Sequence, residues 1–387
     1  MKNFNYYQPT EIVFGNGRID ELGKIVSRFG KRCLLVSTPP VPALKTIYDK
    51  VKSILKNSNL EIEHFDQVQQ NPTTEIVTAG ANLAKKFRAE VIIGLGGGSS
   101  MDTAKAIAVE TTHEGTSWDY LFYKKQPTDK TLPVIAISTT SGTGSQVTQV
   151  AVITNTKDRN KSAIYNSIIY PRVAIVDPEL MLSVPKHITA STGFDVFCHS
   201  FESTIHPGTS AYVDTLAWKA IALVVNTLPK LLKDLNNIEL RSTMALADTL
   251  AGLCIANAGV TLPHGVGMAI SGLYPHIIHG ESLAIIYPAF TRFTYEKAIP
   301  QFAQLARIFN TDNQNKSNKK AAASACTEMD KFLIKIGMWF RLKDFKMPGN
   351  EISLLAKNSM ILPDYKNNPR IATNREMLQL ITESYSL

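Results

Sequence analysis

In the first half of the chain, short apolar runs rich in β-branched residues alternate with stretches whose apolar residues recur at helical spacing. The apolar runs are Arg32–Ser37, Val91–Leu95, Val134–Ser138 and Val173–Val176. The helical stretches are Leu44–Leu55, Asn82–Phe87 and Met101–Val109. Strands that alternate with helices form parallel sheets, because each connection between parallel strands has to cross over the sheet. The pattern therefore predicts an α/β domain with a parallel sheet.

From about Pro185 onward the pattern changes to long amphipathic or apolar segments without a strand pattern. These segments are Val213–Leu228, Leu240–Ala256, Pro300–Ile308 and Ala321–Ile336. We therefore expect the second half to be all-α. A chain of 387 residues is also longer than a single hydrophobic core usually supports. We place the domain boundary near Val184, with an α/β domain at 1–184 and a helical domain at 185–387.

Composition excludes several classes of protein. The formal net charge is +8, but Lys and Arg are spread along the chain, which argues against a nucleic-acid surface and at most suits a phosphate-bearing cofactor. No apolar run reaches the roughly 20 residues of a membrane span. The four cysteines form no CxxC pair, and we expect reduced thiols. Because Met1–Gln8 lacks a signal-peptide pattern, we expect a cytoplasmic protein.

The segment Glu90–Lys105 has the order strand, glycine loop, helix. Gly96, Gly97 and Gly98 allow backbone amides to approach an anion, and the helix that follows presents free N–H groups and the positive end of its dipole. The spacing differs from the GxGxxG of the usual dinucleotide fingerprint, and a plain tight turn is the alternative. The loop favours a phosphate site.

A second loop of small residues, Ser138–Thr148, follows the next apolar run. It contains two glycines and several Ser and Thr hydroxyls at the end of a predicted parallel strand. Open α/β sheets bind ligands at this edge. Two such loops after two strands make a mere surface loop the weaker interpretation.

A carboxylate and three imidazoles in the second half suit a divalent transition metal with one open position. Asp195 and His199 are four residues apart and share one face if they lie on a helix. His264 and His279 each precede a glycine. An Asp and a His at this spacing are more often a capped or salt-linked pair, so the later histidines are what favour a metal site.

Together these segments resemble the iron-containing (group III) alcohol dehydrogenases over nearly the whole chain. Most specific is Thr189–Glu202 (TASTGFDVFCHSFE). The other matching segments, in order, are Pro9–Leu22, Phe65–Val77, GGGSSMDTAK, STTSGTGSQVT, Pro171–Leu182 and Asn368–Arg370.

The resemblance implies a Rossmann-like N-terminal domain, an all-α C-terminal domain and an active site in the cleft between them. It implies that Asp195, His199, His264 and His279 bind Fe²⁺, with Zn²⁺ as an alternative, and that the protein is a homodimer or a larger homo-oligomer. It places the nicotinamide cofactor against a set of loop residues and near one lysine. The set is Asn71, Gly97, Gly98, Ser99, Asp102, Thr139, Thr140 and Thr143, and the lysine is Lys161.

Three positions depart from the family pattern. Met268 stands where many members have a further histidine close to the nicotinamide. The last ligand is spaced slightly further from His264, so His276 rivals His279. Thr38 stands where NAD-preferring members tend to have an aspartate, and a hydroxyl does not repel a 2′-phosphate. We therefore expect a preference for NADP over NAD.

The predicted reaction is reversible hydride transfer between a small primary alcohol and the nicotinamide. The alternatives are a polyol or glycerol dehydrogenase, a dehydroquinate-synthase-like lyase of the same superfamily, and a non-catalytic cofactor-binding protein. Segments near the candidate ligands contain no Lys or Arg, which favours a small neutral alcohol over a phosphorylated substrate.

Overall fold

The computed structural model describes residues 2–386, apart from the side chains of residues 122 and 123, and confirms the predicted fold class. Six strands form one parallel sheet in the order β1-β8-β5-β4-β2-β3, and β6 and β7 form a separate antiparallel hairpin. The strands are β1 (Glu11–Phe14), β2 (Arg32–Val36), β3 (Glu61–Phe65), β4 (Val91–Gly96), β5 (Val134–Ser138), β6 (Val150–Asn155), β7 (Asn160–Tyr165) and β8 (Val173–Val176).

Four helices accompany these strands, and from Lys186 to Ser386 the described elements are helical. The helices are α1 (Leu22–Val26), α2 (Pro42–Asn57), α3 (Thr74–Phe87), α4 (Gly98–Thr112), α5 (Lys186–Ile205), α6 (Ala211–Leu231), α7 (Ile238–Asn257), α8 (Leu262–Leu273), α9 (His279–Thr294), α10 (Ile299–Phe309), α11 (Asn318–Lys335), α12 (Ile352–Asn358) and α13 (Asn374–Ser386). The boundary predicted near Val184 falls between β8 and α5. It stays a prediction, as does the oligomeric state.

Both faces of the sheet are buried, as the continuous apolar runs predict. Successive strand residues point to opposite faces, so Leu35 and Ile93 join a core that includes α2, whereas Leu34 and Ile92 join a core that includes α4. A third core fills the helical half and centres on the aromatic side chains of α5. Helix α5 is therefore buried along most of its length and can carry polar groups into the interior.

Strands β4 and β5 are direct neighbours, with Gly96 paired to Ser138. The two glycine-containing loops therefore start side by side at the carboxyl edge of the sheet. The backbone N–H of Thr139 donates to the carbonyl of Gly96 at 3.0 Å. The sheet thus brings together the two loops that the sequence singles out.

Within residues 2–386, no single helix is both long and apolar enough to cross a membrane. Helices α7 and α8 meet the length and composition criteria only as a pair, and they are bent by 101° relative to each other.

Candidate active site

The four candidate metal ligands converge in the structure, although they come from three helices. Asp195 and His199 lie one turn apart on α5, His264 is in the first turn of α8, and His279 opens α9. Oδ1 of Asp195 lies 3.6 Å from Nε2 of His199, 3.5 Å from Nε2 of His264 and 3.8 Å from Nε2 of His279. Ligand atoms of the first three residues all lie within 4.8 Å of one another. His279 belongs to the same group at its more open side.

These separations fit a shared cation better than direct hydrogen bonds. Hydrogen bonds between a carboxylate and an imidazolium are about 2.7–2.9 Å long, clearly shorter than the distances seen. A tetrahedron with bonds of about 2.1 Å has edges of about 3.4 Å. Oδ1 of Asp195 and Nε2 of His264 are also buried without a hydrogen-bond partner among the described residues. The donor set therefore fits a divalent transition metal.

Protonation of the group follows from its burial and its charges. Burial alone would raise the pKa of Asp195, but the surrounding imidazoles lower it to about 2. Burial lowers the pKa of His279 to about 3 and also lowers that of His199. Burial opposes protonation of His264 as well, but the carboxylates of Glu202 and Asp195 raise its pKa to about 10. Three of the four residues are thus held in the form that binds metals.

Glu202, which was not predicted as a site residue, lies directly behind the candidate ligand His264. Its Oε1 lies 2.8 Å from Nδ1 of His264, and Tyr287 donates to the same oxygen at 3.3 Å. Its Oε2 accepts from the backbone N–H of Thr261 at 2.8 Å and from the Thr261 hydroxyl at 3.2 Å. Glu202 follows Asp195 by seven residues and His199 by three, a helical spacing that is visible in the sequence. The carboxylate turns Nε2 of His264 toward Asp195.

His199 is oriented from the N-terminal half of the chain. Its Nδ1 lies 3.2 Å from the carbonyl oxygen of Gly142, in the loop after β5. Because a carbonyl only accepts, Nδ1 carries the proton and Nε2 keeps its lone pair toward Asp195. A carbonyl of the loop predicted to hold the cofactor therefore fixes the tautomer of a candidate metal ligand.

The two small-residue loops are in direct contact beside this group. A Cβ atom on Gly98 would lie 2.5 Å from Cγ2 of Thr143, and one on Gly97 would lie 3.0 Å from Oγ1 of Thr140. Helix α4 begins at Gly98, and its N-cap residue Gly97 has no side chain to cap it. The close approach explains the glycines and leaves the positive end of α4 at the edge where the loops meet. Ser99 lies in this first turn, and Thr139 is buried at the start of the loop after β5.

The remaining predicted cofactor residues fall into three environments. Lys161 on β7 donates to Oδ1 of Asn71 at 2.8 Å, and Asn71 donates to the carbonyl of Pro275 at 3.1 Å. Asp102 is engaged within the protein, since its two oxygens accept from the Ser145 hydroxyl at 2.6 Å and from a backbone N–H at 3.0 Å. Thr38 follows β2, and its hydroxyl lies 2.9 Å from the hydroxyl of Tyr48. Burial lowers the pKa of Lys161 to about 8.

His276 lies apart from the four-residue group. Its Nε2 is 3.3 Å from the carbonyl oxygen of Phe345, and its ring packs edge-on against Tyr274. The rings of His264 and His279 are 5.4 Å apart between centroids. The geometry thus favours His279 over His276 as a fourth ligand.

A cleft of about 90 Å³ lies between the β6–β7 hairpin and α8. Met268 lines it next to Gly265, which is adjacent in the chain to His264. The cleft therefore lies next to the helix turn that carries His264. Other lining residues include Lys161, Gly272, Ile361 and Leu362.

Comparison with protein families matches both halves of the chain. Residues 9–178 match the model of iron-containing alcohol dehydrogenases, and residues 189–385 match the C-terminal part of the Fe-containing alcohol dehydrogenase family. The chain is 32% identical to a probable NADH-dependent butanol dehydrogenase of Bacillus subtilis, covering 92% of each protein. It is 30% identical to an NAD-dependent methanol dehydrogenase of Bacillus methanolicus, covering 97% of this chain and 98% of the relative.

Among solved structures, an archaeal halo-thermophilic alcohol dehydrogenase from a Red Sea brine pool superposes with a TM-score of 0.94 at 30% identity. The match covers 99% of this chain and all of that one. The parallel sheet, the helical second half and the matches to known proteins together define the class of the protein. It is an oxidoreductase of the nicotinamide-linked dehydrogenase class. The chain belongs to the iron-containing alcohol dehydrogenase family. It is thus an enzyme that interconverts alcohols and aldehydes.

Proposed function

We propose that this enzyme catalyses reversible hydride transfer between a small primary alcohol and NAD(P), with Asp195, His199, His264 and His279 holding Fe²⁺. The observation that carries the proposal is the position of Oδ1 of Asp195, which lies 3.5–3.8 Å from three imidazole nitrogens. When bound, such an ion draws electron density from the substrate oxygen while the nicotinamide accepts or returns the hydride. The chain's own residues then have to orient the metal ligands, bind the cofactor and the substrate, and exclude water.

Orientation comes from groups behind the ligands. Glu202 fixes His264 through Nδ1, and the Gly142 carbonyl fixes His199 through Nδ1. Both imidazoles therefore present Nε2 to the centre of the group without rearrangement. Such preorganisation is how hydrogen bonds behind the ligands typically strengthen metal sites.

Cofactor binding is assigned to the edge where the two loops meet. The positive end of α4 and the hydroxyls of Thr140 and Thr143 suit a pyrophosphate, and Lys161 supplies a cation held by Asn71. Gly97, Gly98, Ser99 and Thr139 complete this edge. Asp102 supports it indirectly, because its carboxylate holds Ser145 and the start of the β6–β7 hairpin.

The cleft beside Met268 is the proposed substrate site. Met268, Ala269, Ile361 and Leu362 form its apolar part, and Asp158, Arg159, Asn160 and Lys161 form its polar part. His279 is 23% exposed, whereas Asp195, His199 and His264 are 3–8% exposed, so the group opens toward solvent at His279. The small volume of this cleft, about 90 Å³, favours short primary alcohols and aldehydes.

The metal assignment is tested by elemental analysis of protein purified without oxygen, combined with aldehyde reduction after loading with Fe²⁺ or Zn²⁺. Intrinsic affinities favour Zn²⁺ over Fe²⁺, so each ion is supplied separately. We expect about one ion per chain and loss of both ion and turnover in His264→Ala. Full activity of a metal-free His264→Ala protein would overturn the assignment.

We also propose that the enzyme uses NADPH at least as well as NADH. The support is the hydroxyl of Thr38 at the end of β2, where a carboxylate would repel a 2′-phosphate. The named Bacillus relatives are described as NAD- or NADH-dependent, which makes the comparison a sharp one. The test is the ratio of kcat/KM for the two reduced cofactors, and a large preference for NADH would contradict the proposal.

A further inference from the structure

Asp248 is a fully buried carboxylate on α7, directly behind the loop after β5. Its Oδ1 accepts from the backbone N–H of Gly142 and from that of Gly144, both at 2.9 Å. Its Oδ2 accepts from the side-chain amide of Gln146 at 2.8 Å. One side chain of the helical half thus gathers three donors from a single loop of the α/β half.

The same loop orients His199. Gly142 donates its N–H to Asp248 and accepts from Nδ1 of His199 through its carbonyl. The carbonyl of Gly142 lies in the chain between the two backbone N–H groups that donate to Asp248, so Asp248 holds the main chain on both sides of it. A shift of the loop would leave Nδ1 of His199 unpartnered and free the imidazole to rotate.

The loop also carries Thr140 and Thr143, the two hydroxyls that lie against Gly97 and Gly98. On its other side it touches α7 backbone to backbone. A Cβ atom on Gly144 would lie 2.4 Å from Cα of Gly252, and one on Gly252 would lie 2.8 Å from Cα of Gly144. Gly144 also has a positive φ of 62°, which a glycine adopts without strain. The loop therefore packs main chain against main chain on α7, and this contact requires glycine at both positions.

Burying the carboxylate of Asp248 destabilises the fold, and its role in holding the loop explains why it is there. Burial raises the pKa of Asp248 to about 7, against the three hydrogen bonds that favour its ionised form. A neutral apolar residue would avoid that desolvation. Two backbone N–H groups converge on a single oxygen, however, and an ionised acceptor binds them more strongly than a neutral one.

We propose that Asp248 is a positioning residue that fixes the loop 139–146 for the metal ligand His199 and for the dinucleotide at the same time. This inference rests on the proposed function, because it assumes that the group around Asp195 binds a metal and that the loop binds the cofactor. It adds that both affinities depend on one side chain that contacts neither ligand.

The test compares Asp248→Ala and Asp248→Asn with wild type, measuring binding rather than turnover. Zn²⁺ is the probe, and its dissociation constant is obtained by competition with a chromogenic chelator. The dissociation constant of NADPH is measured by fluorescence on chelator-treated protein, so that an effect on the cofactor is not transmitted by the metal. Asp177→Ala is the matched control, since Asp177 is also fully buried and accepts two backbone N–H bonds, from Ile19 and Glu179.

We expect Asp248→Ala to weaken Zn²⁺ binding about 10- to 100-fold, the usual effect of removing a group behind a metal ligand, and to weaken NADPH binding as well. Asp248→Asn replaces charge-assisted bonds by neutral ones and should weaken both about threefold. Asp177→Ala should lower the melting temperature while both affinities stay at the wild-type values.

Wild-type affinities in Asp248→Ala would overturn the inference. So would an equal loss of Zn²⁺ affinity in Asp177→Ala, because the effect would then report general instability. If Asp248→Ala does not fold, Asp248→Asn decides, and wild-type affinity for both ligands in that variant counts against the inference. Failure of wild type to bind Zn²⁺ at all would instead remove the proposed function on which it rests.

Discussion

Oε1 of Glu202 lies 2.8 Å from Nδ1 of His264, on the side of the imidazole that faces away from Asp195. The carboxylate accepts from His264, Tyr287 and both donors of Thr261, so each of its oxygens serves at least two donors. Glu202 therefore holds Nδ1 of His264 and aims Nε2 of that imidazole at Asp195.

Glu202→Gln should weaken Zn²⁺ binding about 10- to 100-fold, because an amide N–H would face one of these donors and His264 would lose its fixed orientation. The measurement is competition with a chelator, together with turnover after reloading. Thr261→Val is the control, since it removes only the hydroxyl contact at 3.2 Å and keeps the backbone donor. Equal metal affinity of Glu202→Gln and wild type would mean that the carboxylate does not aim the ligand.

Thr38→Asp should shift cofactor preference toward NADH by disfavouring the 2′-phosphate of NADPH. A carboxylate near a phosphate costs about 1–3 kcal/mol at a partly solvated site, or roughly a 5-fold to 150-fold change in the ratio of kcat/KM values. Thr38→Ser keeps the hydroxyl that lies near Tyr48 and serves as the control. An unchanged ratio in Thr38→Asp would place the 2′-position of the ribose elsewhere.

Gly98→Ala should weaken NADPH binding about tenfold, because its Cβ would lie 2.5 Å from Cγ2 and 2.8 Å from Oγ1 of Thr143. The two loops would then have to separate at the edge where the pyrophosphate is expected. In Gly98→Ala/Thr143→Ala the two closest atoms are removed, so the double variant should bind NADPH more tightly than the sum of the two single effects predicts. Purely additive effects would contradict a clash between the two loops.

Glu376 gives a prediction for pH. It accepts from the backbone N–H of Thr373 at 2.9 Å and from Arg370 at 2.7 Å, and the Thr373 hydroxyl accepts in return from the Glu376 N–H at the start of α13. The hydrogen bond from the Thr373 N–H, and to a smaller extent the hydrogen bond from Arg370, lower the pKa of Glu376 to about 2. A lowered pKa means that the ionised group stabilises the fold above its ordinary pKa of 4.5 and loses this effect as pH falls toward 2.

Glu376→Ala should therefore destabilise the protein by about 1 kcal/mol at pH 7, the usual value of a helix cap. The difference from wild type should shrink as pH falls from about 4.5 toward 2. The check is the urea midpoint at several pH values, with the exposed neighbour Arg375→Ala as control. A difference that does not change with pH would show that the charge of Glu376 is unimportant.

The sequence predicted those parts of the fold that are buried on both sides. The four apolar runs became β2, β4, β5 and β8, whereas β1, β3 and the β6–β7 hairpin were missed. Strand β3 lies at an edge of the sheet and alternates charged with apolar residues (EIEHF), so it has no continuous apolar run. Helix α3 starts at Thr74, eight residues before the predicted stretch, because Thr73 caps a polar first turn.

For the site, local sequence spacing identified the candidate metal ligands but not the residues that orient those ligands. Asp195 and His199 were visible as neighbours on one helix face, and a stricter helical count would have added Glu202. Asp248 is 53 residues further along the chain than Asp195, and its partners Gly142 and Gln146 lie more than 100 residues before it. Only the packing of α7 against the loop after β5 brings these residues together, and no local pattern encodes that packing.

The contact between Gly144 and Gly252 has a consequence for how the molecule can move. Two main chains touch there, and no side chain lies between them that could change its rotamer. The α/β half and the helical half therefore cannot move closer together at this contact. Relative motion of the two halves should therefore be smallest at this contact, and a side chain at either position would push the loop after β5 away from α7.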